Sequence, residues 1–171
     1  KDEYADLRLN LREKAQVYLV SGRCLYLQKD YAAAISRMTN AFNLDRSLTE
    51  TLYLAGLAHH ARGESRQAVT NYQEYLSLNP APAATFWGDY GHAAGAQKDF
   101  KQGTFALDRA LEYHTVDVKT LAERGYQFMK WNRSHPAQDS FRRALDYYAD
   151  LVPRVPTNET AAYRNNELAL K

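Results

Sequence analysis

Four short strings decide the fold: Lys29-Asp30-Tyr31-Ala32-Ala33-Ala34, Gly63-Glu64-Ser65-Arg66-Gln67-Ala68, Lys98-Asp99-Phe100-Lys101-Gln102-Gly103 and Asn132-Arg133-Ser134-His135-Pro136-Ala137. Their starts are 34, 35 and 34 residues apart. A fixed period of this length marks a chain of stacked units, each packed mainly on its neighbours. Apolar residues recur at helical spacing on both sides of every string, so the unit reads as two helices joined by a short polar turn.

With units starting at Ala15, Thr49, Ala84 and Val118, the fourth position reads Tyr18, Leu52, Trp87 and Leu121, and the eighth reads Gly22, Gly56, Gly91 and Gly125. The twentieth reads Ala34, Ala68, Gly103 and Ala137, the twenty-fourth Met38, Tyr72, Leu107 and Phe141, and the twenty-seventh Ala41, Tyr75, Ala110 and Ala144. A mid-helix glycine costs about 1 kcal/mol relative to alanine, so four in one phase imply that close packing returns more than propensity loses. Small residues where two helices cross let the axes approach to roughly 8–10 Å while large ones fill the flanking grooves. First helices are expected near 15–28, 50–62, 84–97 and 118–131, and second helices near 31–44, 66–78, 100–113 and 136–150. Pro136 suits the first turn of its helix, and the Asn79-Pro80-Ala81-Pro82 linker, which carries the one extra residue, is expected to be extended.

This pattern resembles the tetratricopeptide repeat family over about residues 15 to 150. The sequence departs from it at Tyr75, where the family has alanine, and in closing only the second repeat with proline, at Pro80, with Arg46 and Thr115 elsewhere. The resemblance implies an all-α, right-handed superhelical solenoid of about four helix-turn-helix repeats, at 15–48, 49–83, 84–117 and 118–151. Residues 157–171 read as a capping helix or the first helix of a further repeat. Residues 1–14, with Tyr4, Leu7 and Leu11 in phase with Ala15, Tyr18 and Gly22, read either as an extension of the first helix or as the second helix of a truncated earlier repeat; the latter reading is preferred.

In this family the first helices line a concave face that holds the ligand. The positions so implied are Leu19, Arg23 and Tyr26 in the first repeat, and Tyr53, Leu57 and His60 in the second. Asp89 and His92 follow in the third, with Glu123, Tyr126 and Lys130 in the fourth. The chaperone-adaptor branch clamps a carboxylate with cations at such positions, but Leu19, Tyr53, Leu54 and Asp89 occupy several of them and Arg23 alone offers a cation. The groove reads instead as aromatic and aliphatic, with gaps at Gly88, Gly95 and Ala96, and Leu19, Leu54 and Leu57 have the alternative role of packing between helices.

Composition narrows the function. Apolar residues at 45% and charged residues at 25% describe a folding chain, and a net charge of +2 from interspersed acids and bases gives no footprint for nucleic acid or anionic lipid. Thirteen tyrosines suit half-buried interface positions. The single cysteine, Cys24, excludes an internal disulfide and is expected to be a buried, inert thiol. His59 is expected to be a partly buried packing residue, and His60 with His92 lack a third ligand for a metal. No phosphate loop or nucleophile elbow occurs, so no catalytic residue and no cofactor is expected. No stretch is apolar enough for membrane insertion.

The expectation is a protein-interaction scaffold, not an enzyme, that binds a peptide or partner protein on its concave face and forms part of a longer polypeptide. The alternative is a periplasmic assembly platform of a bacterial outer-membrane secretion or exopolysaccharide-export protein, which leans the expected location toward the cell envelope. Terminal helices carrying Tyr4, Leu7, Tyr163 and Leu168 also offer surfaces for self-association.

Overall fold

The structure, a computed structural model, describes residues 3–113 and 117–151. Among these it places eight helices and no strand: α1 Glu3–Leu27, α2 Tyr31–Leu44, α3 Glu50–Ala61, α4 Ser65–Leu78, α5 Ala84–Ala96, α6 Phe100–Tyr113, α7 Val118–Lys130 and α8 Ser134–Leu151. They fall into two compact units, residues 1–82 holding α1–α4 and residues 83–171 holding α5–α8. Within each unit consecutive helices pack as hairpins, and the second helix of the first hairpin packs on the first helix of the next, α2 on α3 and α6 on α7.

One local device closes all four hairpins. Lys29, Gly63, Lys98 and Asn132 hold φ at 64°, 77°, 68° and 58°, the left-handed conformation. Each reverses the chain so that its own N–H and the next one bond back into the helix just ended. Lys29 donates to the Tyr26 carbonyl and Asp30 to Leu25, at 2.9 Å each; Lys98 donates to Gly95 at 2.9 Å and Asp99 to Ala94 at 3.0 Å. Gly63 and Glu64, and Asn132 and Arg133, repeat the pairing. This is the Schellman closure, which satisfies carbonyls that a helix end otherwise leaves open. Asp30 and Asp99 then start the following helices, their carboxylates accepting from the Ala33 and Gln102 N–H groups at 3.2 and 3.1 Å.

The in-phase glycines sit where the hairpin helices cross. A Cβ on Gly91 would lie 2.6 Å from Cγ of Leu107, and one on Gly125 would lie 2.7 Å from the Phe141 ring. Gly56 stands as tightly against Tyr72, while Gly22 is looser, with Met38 Cγ at 3.1 Å. In every hairpin the eighth-position glycine therefore faces the twenty-fourth-position side chain of the same repeat. Tyr72, Met38 and Leu107 are fully buried there, each contributing about 1.5–3 kcal/mol of hydrophobic stabilisation.

Two expectations are corrected. Residues 3–27 form one unbroken helix, so the stretch 1–14 is not a separate second helix of an earlier repeat. Residues 3–14 contain no glycine or proline, so nothing there stops a helix that has begun. Cys24 is exposed rather than buried. The buried stripe of α1 runs through Ala15, Leu19 and Gly22, and Cys24 lies roughly 200° around the helix from Gly22. Its apolar neighbours Val20 and Leu27 are exposed with it, at 57% and 79%. The expected helix at 157–171 lies outside the described residues. The Asn79–Pro82 linker is non-helical, as the prolines require.

Candidate partner-binding faces

In the first unit, α1 and α3 lie side by side and share one face. Arg23 of α1 and Glu50 of α3 form an ion pair across it, so the one cation expected in the groove is already engaged. Leu19 is 3% exposed and belongs to the packing between helices rather than to an accessible surface. Tyr26 is half-buried, packs on the cluster of Ala34, Met38 and Ala55, and meets Tyr31 with ring centroids 5.5 Å apart. Leu54 packs on the same cluster, as its alternative role required. Tyr53 leans on α4, its ring 6.0 Å from Tyr72 and 5.6 Å from Tyr75. Tyr75, the departure from alanine, is thereby accommodated as half of an aromatic pair. Leu57 and His60 are half-buried.

His59 points elsewhere. Its Nδ1 lies 2.6 Å from Glu64 Oε2 at the turn, where Arg62 also reaches Glu64 at 3.0 Å. Among the described residues no group of three histidine, cysteine or acidic side chains is arranged to hold a metal ion, and no helix is long and apolar enough to cross a membrane.

In the second unit the sequence-expected residues are joined by one that was not expected, Gln127. This side chain is fully buried, and its amide nitrogen donates to the Gly91 carbonyl at 3.0 Å and to Glu123 Oε1 at 2.8 Å. The other oxygen of Glu123 lies 3.7 Å from His92 Nδ1, which ties α7 to α5. Glu123 and His92 remain a quarter exposed, so a buried amide fixes an accessible carboxylate. Tyr126, one turn further along α7, is 47% exposed, with the Lys130 ammonium 5.2 Å from its ring centroid. Asp89 is half-buried one turn before His92.

Gln127 also revises the reading of the gaps. Gly88 is open, with nothing within 4 Å of where a Cβ would stand. Gly95 is no gap: the Gln127 amide occupies the space its side chain would take, and Gly103, on α6, makes room for the same amide. The glycine at the twentieth position of the third repeat, where the others carry alanine, is thus the receptacle for Gln127. The signal in the sequence was this pair of small residues, Gly95 and Gly103, eight positions apart around one turn. The Gln127 amide oxygen has no hydrogen-bond partner among the described residues, a state that costs about 1–3 kcal/mol.

Helical hairpins closed by identical turns, in phase every 34 or 35 residues, define a helical repeat protein. One of these units is matched by a family model: that of the tetratricopeptide repeat covers residues 49–82, which span α3, α4 and the linker. Solved structures agree on the fold. A crystal structure of MamA protein aligns with TM-score 0.72 at 17% identity, covering 92% of this chain and 88% of that one. The first tetratricopeptide domain of Spaghetti (RPAP3), solved bound to the HSP90 peptide SRMEEVD, aligns with TM-score 0.65 at 18% identity over 70% of this chain and 94% of that one. The Sgt2 domain from Aspergillus fumigatus aligns with TM-score 0.61 at 17% identity over 70% and 80%. At these identities the likeness is one of fold. No curated protein sequence matches the chain.

Proposed function

We propose that the chain is a non-catalytic protein-interaction scaffold that takes a peptide or partner protein on the faces of its first helices, α1 with α3 and α5 with α7. The observation that carries this reading is the Glu123 arrangement. A buried glutamine, at the cost of an unsatisfied amide oxygen, orients a carboxylate that stays open to solvent beside His92 and one turn from exposed Tyr126. Rigid polar groups and half-exposed aromatics on a helix face are what a protein ligand engages. The fold neighbour solved with a peptide bound supports the same use of the fold. The Arg23–Glu50 pair turns the first unit away from clamping a free carboxylate, since its cation is already matched.

Site-specific photo-crosslinking tests the proposal. A photoreactive residue at Tyr126 or Arg23 is expected to capture a partner from source lysate that the same residue at Lys101 or Arg142, on the second helices, does not. Capture from the second helices alone would refute it, and sedimentation of the purified chain separates a foreign partner from a second copy.

A further inference from the structure

A second recess lies away from these faces, in the first unit, between α2 and α4 and above α3. Its volume is 210 Å³. Drug-sized ligands occupy pockets of about 300–1,000 Å³, so this one holds a single side chain or ring. The floor is apolar, made by Met38 and Phe42 of α2 with Leu52 and Ala55 of α3, all under a tenth exposed. Thr51 is the polar group in it, and its hydroxyl is committed to the Leu48 carbonyl at 2.6 Å.

The rim has the opposite character. Asn43 of α2 and Asn71 of α4 line it, and neither side-chain amide has a partner among the described residues. A carboxamide presents both donors and an acceptor, the complement of a peptide unit's C=O and N–H. Thr39 and two charges also line the rim: Arg46, whose guanidinium lies 4.5 Å from the Phe42 ring centroid, and Glu74 on α4. Neither is ion-paired among the described residues.

We infer that this recess is a peptide-binding site that takes one leucine-sized side chain from an extended segment. Asn43 and Asn71 hold the segment's backbone, an acidic neighbour lies on the Arg46 side and a basic neighbour on the Glu74 side. A sugar fits poorly. Phe42 is 7% exposed and covered by Arg46, so no aromatic face is left for a pyranose, and ring hydroxyls in the floor would find no partner. An aliphatic side chain loses nothing there, and the charges fix the direction of the segment.

The test uses the full chain, isotope-labelled for NMR and titrated with the capped tripeptide acetyl-Asp-Leu-Lys-amide. Saturable shifts centred on Leu52, Ala55 and Asn71 are expected, with acetyl-Lys-Leu-Lys-amide, which loses the Arg46 pairing in either direction, binding severalfold more weakly. Asn71→Ala is expected to weaken binding about tenfold. Asn43→Trp, at an exposed position, closes the recess from outside without touching the core and is expected to abolish binding while the spectrum stays folded. The inference is overturned by an absence of saturable shifts, by shifts centred instead on Arg23, Tyr26 and Tyr53 of the first-helix face, or by binding that both variants leave unchanged. It is equally overturned if methyl glucoside shifts these resonances and the tripeptide does not.

Discussion

Lys98 sits at φ 68° in the turn between α5 and α6, in a conformation that an L-residue adopts at a cost of roughly 1–2 kcal/mol. Its side chain is exposed and makes no hydrogen bond, ion pair or ring contact among the described residues. Lys98→Gly removes the Cβ that causes the strain, while the extra freedom of glycine in the unfolded chain takes back about 0.5–1 kcal/mol. The net expectation is a gain of about 0.5–1 kcal/mol, which raises the midpoint of thermal unfolding by about 1–4 °C for a chain of this size. Circular dichroism melting of three proteins separates the causes. Lys98→Ala removes the same charge but keeps the Cβ, and is expected to melt within about 1 °C of the parent. Gly63→Ala is the reciprocal case at φ 77°, where an added Cβ meets nothing within 4 Å, so its loss of about 1 kcal/mol isolates backbone strain from crowding. A Lys98→Gly protein no more stable than Lys98→Ala, or a neutral Gly63→Ala, would refute the assignment of strain to these turns.

Further expectations follow from the packing. Gly91→Ala drives a methyl against Leu107 Cγ and, at 3.1 Å, the Gly103 carbonyl; it is expected to lose about 1–2 kcal/mol in urea denaturation. Gly22→Ala meets the flexible Met38 side chain and is expected to be neutral, or to gain up to about 1 kcal/mol from helix propensity. Equal effects at the two sites would show that shape is not what selects these glycines. In a double-mutant cycle, Gly103→Ala and Gln127→Ala each destabilise, and the pair together is expected to cost at least about 1 kcal/mol less than their sum; additivity would break the link between them. The Asp45 carboxyl is held below its ordinary range by the Ser47 hydroxyl at 2.6 Å and the Ser47 N–H at 2.9 Å, with Arg12 adding to the effect. Its contribution is therefore full above the unfolded carboxyl value of about 4 and fades as pH falls through the lowered folded value. Ser47→Ala is expected to flatten that acid limb of the urea midpoint, and an unchanged limb would count against it.

The hairpins were legible because their signals are local. Turn residues and in-phase glycines act within one repeat, and the expected spans 31–44 and 100–113 are those of α2 and α6. What the sequence concealed depends on neighbours or on phase. Cys24 was misplaced because α1 is apolar on several sides, so composition around it did not reveal which side was covered. Leu19 and Val20 are adjacent and alike, yet one is 3% and the other 57% exposed. Gly95 looked like an opening because the residue that fills it, Gln127, belongs to the next hairpin. The resemblance to a known family supplied positions for ligand contact, but not the pairings, Arg23 with Glu50 and His92 with Glu123, that decide which of those side chains are available.

The Gln127 receptacle also constrains how such a sequence can change over time. A glutamine arriving while either residue 95 or residue 103 still carried a methyl group would collide with it, so both glycines must precede the amide. The return path is closed in the same order, since either alanine restored first meets Gln127 in place. Descendants of this chain that keep Gln127 therefore keep two glycines for packing alone, and their invariance would record the fit to that amide without requiring selection on a binding surface.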